Sequence, residues 1–540
     1  MRKTLLVLVS LFIFSFNSVA QDEDSSLTVT EENNIFHNWY NKSPIDDVIY
    51  GAEVDKAYNT LLKDKKSSPV IVAVIDGGVD ITHEDLKDNI WINTNEIPEN
   101  GIDDDNNGYI DDINGWNFIG NSKGENITYE NFEVTRIYKL YNTKFSNVKV
   151  SKLSDEEKET YKLYQTAEKS YKKQLKQAIL DKSDFEEYKN NYNTSIKKIY
   201  EALGKEEVTI LDLDSLKENN KELKKDIKIV FTAVLYNYDT VFFNEIDSYY
   251  NEGIDYYLNL DFNPRDIIGD DANDMETVYG NNNVYGPDAF HGTFVSGIIA
   301  AKRNNEIGIN GIANNVQIMA LSAVPNGDER DKDIAKAIRY ATDNGAQIIN
   351  MSFGKDLSPQ KQLVNEAILY AEEKGVLLVH ASGNEGKNID KVKQYPTKNI
   401  SDEKQISTWI TVGASSMNMD RNFVAGFSNY GVKMVDIFAP GVDIKSLAPE
   451  GKYDTGDGTS YSAPVVSGVA ALLLSYFPEL TADQLKSIIL KSAVKYPNHI
   501  VNKPCDYAKK PKKVKFEKLS NTAGLVNVYE AIKMAEELSK

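Results

Sequence analysis

The sequence predicts an α/β fold of three layers, a central, mostly parallel sheet with helices on both faces, plus a largely helical insertion. Two observations predict it. From about residue 283 to the end, apolar runs of strand length alternate with stretches of helical periodicity. Residues 122–282 break that alternation: they are rich in Lys, Glu, Asn and Tyr and carry amphipathic helical patterns.

The first element is not part of the fold. Arg2 and Lys3 precede an apolar stretch from Leu5 to Phe16, and Ser18-Val19-Ala20 leads into the polar Gln21-Asp22-Glu23-Asp24. This is the layout of a signal peptide over 1–20. A membrane anchor is the alternative, but the apolar run falls short of the roughly 20 residues that a spanning helix needs. No other segment is apolar enough to span a bilayer, so the expectation is an exported protein with no membrane insertion after cleavage.

Residues 21–66 read as an acidic lead-in followed by a short surface arm. Residues 67–121 contain the strand Val70-Ile71-Val72-Ala73-Val74-Ile75-Asp76 and a very acidic loop. Within 122–282, Ser154-x-x-Glu157 and Ser183-x-x-Glu186 each match a capping box, which predicts two helices in a hairpin. The first carries Tyr164, Ala167, Tyr171, Leu175 and Ala178 on one stripe, the second Phe185, Tyr188, Tyr192, Ile196, Ile199 and Leu203. Such an insertion is either an accessory subdomain or a substrate cover or partner-docking arm.

Residues 283–540 resume the sheet. Strands are predicted at 316–324, 347–351, 376–379, 409–414 and 435–438. Helices are predicted at 331–344, from Ser358-Pro359 to Gly375, at 462–477, and from the capping box Thr481-x-x-Gln484 through Leu490.

Composition narrows the function. The 540 residues are 41% hydrophobic and 26% charged, which is ordinary for a globular protein. A formal charge of -20 argues against nucleic acid or an anionic membrane surface as partner. The single cysteine, Cys505, forbids an intramolecular disulfide, and no His/Asn pattern around it suggests a cysteine nucleophile.

Three segments carry chemistry. Ser460, in Gly458-Thr459-Ser460-Tyr461-Ser462-Ala463-Pro464, stands near a helix start after a Gly that permits a tight turn. A serine hydroxyl is a weak nucleophile and needs a base within hydrogen-bond reach. His291, in His291-Gly292-Thr293, also begins a helix, and its side chain titrates where proton shuttling is useful. Of the other histidines, His37 and His499 read as surface, His83 as the start of a turn, and His380 as packed core. Asp76 ends an apolar strand at the sheet edge where parallel folds place their sites, and can orient an imidazole. Asn384 follows the strand through Val379 at the same edge, where its amide can bind an oxyanion. As lone motifs, these are a Ser-rich cap, a loop-capping Asp and a turn Asn.

Together they resemble the subtilases, the subtilisin-like serine peptidases, in the chain order Asp, His, Ser. The resemblance rests on Asp76-Gly77-Gly78, His291-Gly292-Thr293, Asn350-Met351-Ser352-Phe353-Gly354, Ser382-Gly383-Asn384 and Gly458-Thr459-Ser460-x-x-Ala463-Pro464, with an echo at Ala523-Gly524-Leu525-Val526-Asn527. It implies a sheet of about seven strands and peptide-bond hydrolysis through an acyl-enzyme. It further implies that Ser352, Phe353 and Gly354 bind substrate backbone, and that Glu385 borders the pocket for the side chain before the cut. Departures are Gly77 after the Asp, Tyr461 for a common Met, and Phe290 and Phe294 around the His, expected to narrow the cleft. Asp76 and His291 are 215 positions apart, and the insertion lies between them. Little room remains before Val70 for a large inhibitory propeptide.

The loop Asp103-Asp104-Asp105-Asn106-Asn107-Gly108-Tyr109-Ile110-Asp111-Asp112 resembles the start of an EF-hand. Asp103, Asp105, Asn107, the Tyr109 carbonyl and Asp111 or Asp112 are the expected ligands. Oxygen donors favour calcium in a structural role; a solvated acidic turn is the alternative. An active exported endopeptidase acting on proteins or peptides is the leading expectation. A peptide-binding scaffold without turnover and a calcium-dependent adhesion protein are the others.

Overall fold

The structure, a computed structural model, describes residues 37–505 and 509–539. The expected signal peptide and the acidic lead-in through residue 36 lie outside the described residues. The chain divides into two compact units, Asn131–Asn263 and the remainder. The first is narrower than the expected insertion of 122–282.

The larger unit holds the sheet. Its strands are β1 (Val70–Asp76), β2 (Gly115–Asn117), β3 (Val316–Ser322), β4 (Ile348–Met351), β5 (Leu377–Ala381), β6 (Trp409–Ser415) and β7 (Ile437–Pro440). They continue with β8 (Ile444–Ala448), β9 (Lys452–Gly456), β10 (Val494–Lys495), β11 (Ile500–Asn502), β12 (Lys513–Lys515) and β13 (Gly524–Leu525). Nine form one sheet in the order β10-β13-β7-β6-β5-β4-β1-β3-β2; only the β10–β13 pair is antiparallel. The six strands predicted from apolar runs are all present, and the sheet exceeds the seven or so that the resemblance implies because β2, β10 and β13, two or three residues long and too short to leave such a run, add to them.

Helices α1 (Val54–Asn59), α2 (Phe290–Ala300), α3 (Asp331–Asp343), α4 (Lys361–Glu373), α5 (Thr459–Tyr476), α6 (Ala482–Ser492) and α7 (Val528–Leu538) belong to this unit, with a single helical turn at Arg265–Ile268. The strand alternation decides their sides. Val72 and Val74 join the core under α2, α5, α6 and α7, whereas Ala73 and Ile75 join the core under α3 and α4. The sheet is therefore buried on both faces, as parallel ladders require. Two local expectations fail. The arm read as surface is anchored by Trp39 and Tyr40, both fully buried. Ser358 bonds the Asp331 carboxylate at 2.8 Å instead of capping α4, which begins at Lys361.

The smaller unit is helical, but not with the expected hairpin. One helix runs from Asp155 to Leu203 without a break, 49 residues long, and only Ser154 caps it. Ala178 and Phe185 are seven residues apart, two helical turns, so the two predicted stripes share one face and nothing interrupts the register. Its partners are the helices Glu133–Phe145, Ile210–Asn219, Lys224–Leu235 and Thr240–Glu252.

In the larger unit a buried ionic cluster gathers residues from both sides of the insertion. Arg265 bonds Asp333 and, at 2.9 Å, Asp270; Lys332, fully buried, bonds Asp270 at 2.6 Å. Arg330 bonds Glu130 at 2.7 Å, and the Tyr279 hydroxyl bonds Asp333. Removing one partner strands a desolvated charge. Asp333→Ala should lower unfolding stability by about 3–5 kcal/mol, read as a shifted urea midpoint at constant slope.

Candidate active site

The sheet order makes a crevice. The chain leaves β1 toward one edge and β4 toward the other, so the carboxyl ends of these neighbours flank a topological switch point, where open parallel sheets hold ligands. Asp76 is the last residue of β1, and Ser352 follows β4.

Asp76 is buried and pinned. Its main-chain carbonyl accepts from the amides of Ala323 and Val324, and its carboxylate accepts the Gly77 amide at 2.8 Å. His291 lies in the first turn of α2. Gly292 lets that helix approach: a methyl there would sit 3.0 Å from Asp76 Cβ and press on the Gly78 carbonyl. His291 Nδ1 stands 2.9 Å from both Asp76 oxygens. Burial opposes the imidazolium, but the Asp76 charge and hydrogen bond, with Asp288, outweigh it and raise the His291 pKa. The side chain keeps 36% exposure, so its outer face meets the cleft.

Ser460 occupies the first turn of α5, where main-chain amides lack intrahelical partners. Pro464 removes the amide that would bond the Ser460 carbonyl. The Ser352 hydroxyl replaces it, donating at 2.8 Å, and the Ser460 hydroxyl donates to the Ser352 carbonyl at 3.1 Å. Asn350 holds Ser352 at 3.0 Å and accepts from Ser467 of α5 at 2.8 Å. A buried polar seam thus fixes the helix start to β4.

Asn384 is oriented by its acceptor side. Its Oδ1 takes the amide and hydroxyl of Thr459, both at 2.9 Å, which turns Nδ2 outward. A methyl on Gly458 would lie 3.6 Å from the Ser460 amide nitrogen, 3.7 Å from Asn384 Nδ2 and 3.8 Å from Ser460 Cβ. Two donors and the candidate nucleophile therefore surround one point.

Of the expected substrate contacts, Ser352 is buried in the seam. The Phe353 carbonyl is held by His380 at 2.9 Å, and Gly354 is exposed, its backbone without a hydrogen bond among the described residues. Glu385 is exposed and tied to Asn429 at 2.6 Å. The sequence reading missed Gln394. A methyl on Gly354 would meet its Nε2 at 3.2 Å and one on Gly383 at 2.6 Å, so this amide stands between the two walls of the crevice. No motif marks it. Phe294 does not narrow the cleft: it is fully buried and stacked on Tyr461 at 4.2 Å, one bulky pair filling the core together.

The acidic loop brings together two of the expected carboxylates, Asp105 and Asp112, with one from outside the expected set, Glu96. Carboxylate oxygens of Glu96, Asp105 and Asp112 lie within 4.8 Å of one another. Asp103 instead caps the Asn107 and Gly108 amides, and Asp111 caps those of Asn100 and Gly101. Asn107 donates to Asp105 at 3.2 Å and Asp112 at 3.0 Å, and the Tyr109 ring packs on Trp116 and Tyr340. Burial, with the Asp105 charge adding to it, pushes the Asp112 carboxyl up to about 6. No ammonium or guanidinium bonds any of the three among the described residues, so a hard cation fits the donor set.

The sequence model of the subtilase family matches residues 67–524. The chain is 40% identical over 226 residues to the thermophilic serine proteinase of Bacillus sp. strain AK1, covering 41% of this chain and 50% of that one. It is 36% identical over 207 residues to subtilisin DY of Bacillus licheniformis, covering 38% and 70%. It is 36% identical over 217 residues to the cell wall-associated protease of Bacillus subtilis strain 168, covering 40% and 22%. The chain thus spans about half the length of the first of these relatives. A solved protease from Pseudoalteromonas arctica PAMC 21717 shares 26% identity over 49% of this chain and 75% of that one, with a TM-score of 0.37.

Two histidines at this edge should titrate in opposite directions. Burial pushes His380 down to about 4, a shift that its bond to the Phe353 carbonyl only partly offsets. An NMR titration should show His380 neutral until about pH 4 and His291 protonated at higher pH than a free imidazole. Asp76→Asn should lower the His291 pKa, because it removes the charge that favours the imidazolium.

Proposed function

Because the chain belongs to the subtilase family, we propose that it is an exported serine endopeptidase that cuts polypeptides through a Ser460 acyl-enzyme. The observation that carries this is the Asp76–His291 contact, made at both oxygens, at the sheet edge that also bears Ser460 and the outward amide of Asn384. The Ser460 hydroxyl turns from the Ser352 carbonyl toward His291 Nε2 and gives up its proton as Oγ bonds the scissile carbon. Asn384 Nδ2 and the Ser460 amide stabilise the resulting oxyanion. His291 then protonates the leaving amine as the C–N bond breaks, and a water repeats the cycle on the ester. Asp76 stays ionised and holds the imidazole tautomer. The unpaired Gly354 backbone is suited to receive substrate as an added strand.

Export is supported by the signal-peptide pattern of residues 1–20. Among the described residues no helix is long and apolar enough to cross a membrane. Calcium is the cation assigned to Glu96, Asp105 and Asp112. Bound there, it would neutralise the cluster and secure the loop, which Asp112 already ties to Tyr340 of α3.

The deciding experiment measures casein cleavage by the secreted protein and by Ser460→Ala, with calcium and with a chelator. Wild-type cleavage should disappear in Ser460→Ala, and chelation should lower the thermal midpoint unless Asp105→Asn and Asp112→Asn are present. A folded wild type that cuts nothing would overturn the assignment. Specificity gives a further check. Gln394→Gly should open the crevice and raise kcat/KM for substrates with a bulky aromatic side chain before the cut, relative to alanine, about tenfold or more, the effect of roughly one relieved steric clash.

A further inference from the structure

Gly354 owes its open backbone to the residues on either side of it. In an extended segment, successive residues direct their backbone groups to opposite edges. The Ser352 carbonyl accepts the Ser460 hydroxyl, on the catalytic edge. The Phe353 carbonyl is held by His380 at 2.9 Å, and the Lys355 amide and carbonyl both pair with Tyr395 at 2.9 Å. Phe353 and Lys355 therefore fill the opposite edge, and Gly354 is left facing the crevice with no hydrogen bond among the described residues.

The Lys355 side chain makes a second set of contacts. It is 2% exposed, its ammonium donates to the Glu329 main-chain carbonyl at 2.7 Å, and it pairs with the Asp331 carboxylate at 2.9 Å. Asp331, which opens α3, also accepts the Ser358 hydroxyl and the Gln360 amide, each at 2.8 Å. Glu329 and Asp331 follow β3. The chain leaving β3 crosses the end of β1, where the Asp76 carbonyl holds the Ala323 and Val324 amides. One lysine thus ties together the segments that follow β3, β4 and β5, around the switch point between β1 and β4.

A buried ion pair adds little stability over apolar packing of the same volume, but its directed bonds fix the position of the chain that carries them. Here the balance of charge is simple. Burial pushes the Glu329 carboxyl up to about 7 against the attraction of Lys355, with Asp328 and Asp331 adding to the rise. Below that pH Glu329 is neutral, and Asp331 is the carboxylate that balances the ammonium.

We propose that Lys355 is a positioning residue for the reaction: bonded to Glu329 and Asp331, it holds the Gly354 edge where the backbone of an extended substrate must pair. This rests on the peptidase function proposed above. Gly354 stands two residues beyond Ser352, which contacts Ser460, so it serves substrate residues farther from the cut. Residues at the cut are held by the groups around Ser460 itself. Loosening Lys355 should therefore weaken long substrates and spare short ones. The lost backbone bonds are the same in the ground state and the transition state, so the effect falls on KM and leaves kcat unchanged.

The test uses the full-length secreted protein and two uncharged substrates that release the same arylamine, one with five residues before the cut and one with a single acylated residue. The variant Lys355→Met with Asp331→Asn removes both charges of the pair and strands neither. In it, KM for the long substrate should rise at least tenfold at unchanged kcat, while kcat/KM for the short one changes less than twofold. A serine-directed phosphonate counts the competent sites, so that lost folding is not read as weaker binding. Equal losses on both substrates, or no loss on the long one, would overturn the positioning role. Where the paired variant does not accumulate, Asp331→Asn alone decides: the long-substrate KM should rise at least threefold, and an unchanged ratio of the two substrates would overturn the role. A wild type that cuts neither substrate would count against the peptidase function. The affinity of Ser460→Ala protein for the long peptide then decides the positioning: it should fall at least tenfold on adding the paired substitutions, and unchanged affinity or no binding would overturn it.

Discussion

Pro464 has no amide hydrogen to offer the carbonyl of Ser460, and the Ser352 hydroxyl takes its place. A buried carbonyl left unpaired costs about 1–3 kcal/mol, so this exchange ties the start of α5 to the end of β4. The tie is reciprocal, since Ser460 donates back to the Ser352 carbonyl. Asn350 and Ser467 extend it two helical turns along α5 into the core. Ser460 is thereby placed by main-chain and core contacts. The outward face of Asn384 and the exposed edge at Gly354 are set around it.

The environment then divides identical side chains between roles. His291 and His380 stand at the same edge of one sheet. His291 faces a buried carboxylate that outweighs desolvation; His380 faces only a carbonyl, which does not. One is suited to carry a proton, and the other stays neutral and holds Phe353 in position. The aromatic departures obey the same logic of local compensation. Phe294 and Tyr461 stack on one another across α2 and α5, so the two departures share one buried contact.

The acidic loop shows how far a motif can be trusted. Alternating acids around Gly108 suggested ligands spaced along the sequence, yet Asp103 and Asp111 spend their oxygens on nearby amides and close the turns. The convergent carboxylates are Asp105, its near neighbour Asp112, and Glu96 from the preceding turn. Glu96 also accepts the amides of Asp104, Asp105 and Asp111, and Asp105 that of Asn107, so amide bonds alone do not separate the two groups; which carboxylates converge is set by the fold of the loop.

The sequence by itself determined the alternation that builds a doubly covered parallel sheet, and the order of Asp76, His291, Asn384 and Ser460 at its strand and helix ends. These are legible because period-2 and period-3.6 patterns and glycine-flanked polar residues are local properties of the chain. It misled at Ser183, where the capping-box pattern predicted a new helix and the structure has one unbroken helix, because the same residues satisfy both. Only the tertiary structure decided that Trp39 and Tyr40 are core, that short edge strands enlarge the sheet, that Gln394 stands between Gly354 and Gly383, and that Glu96 joins Asp105 and Asp112. Each of these depends on which distant segments meet, and burial and contact between segments far apart in the chain leave no periodic trace in either of them.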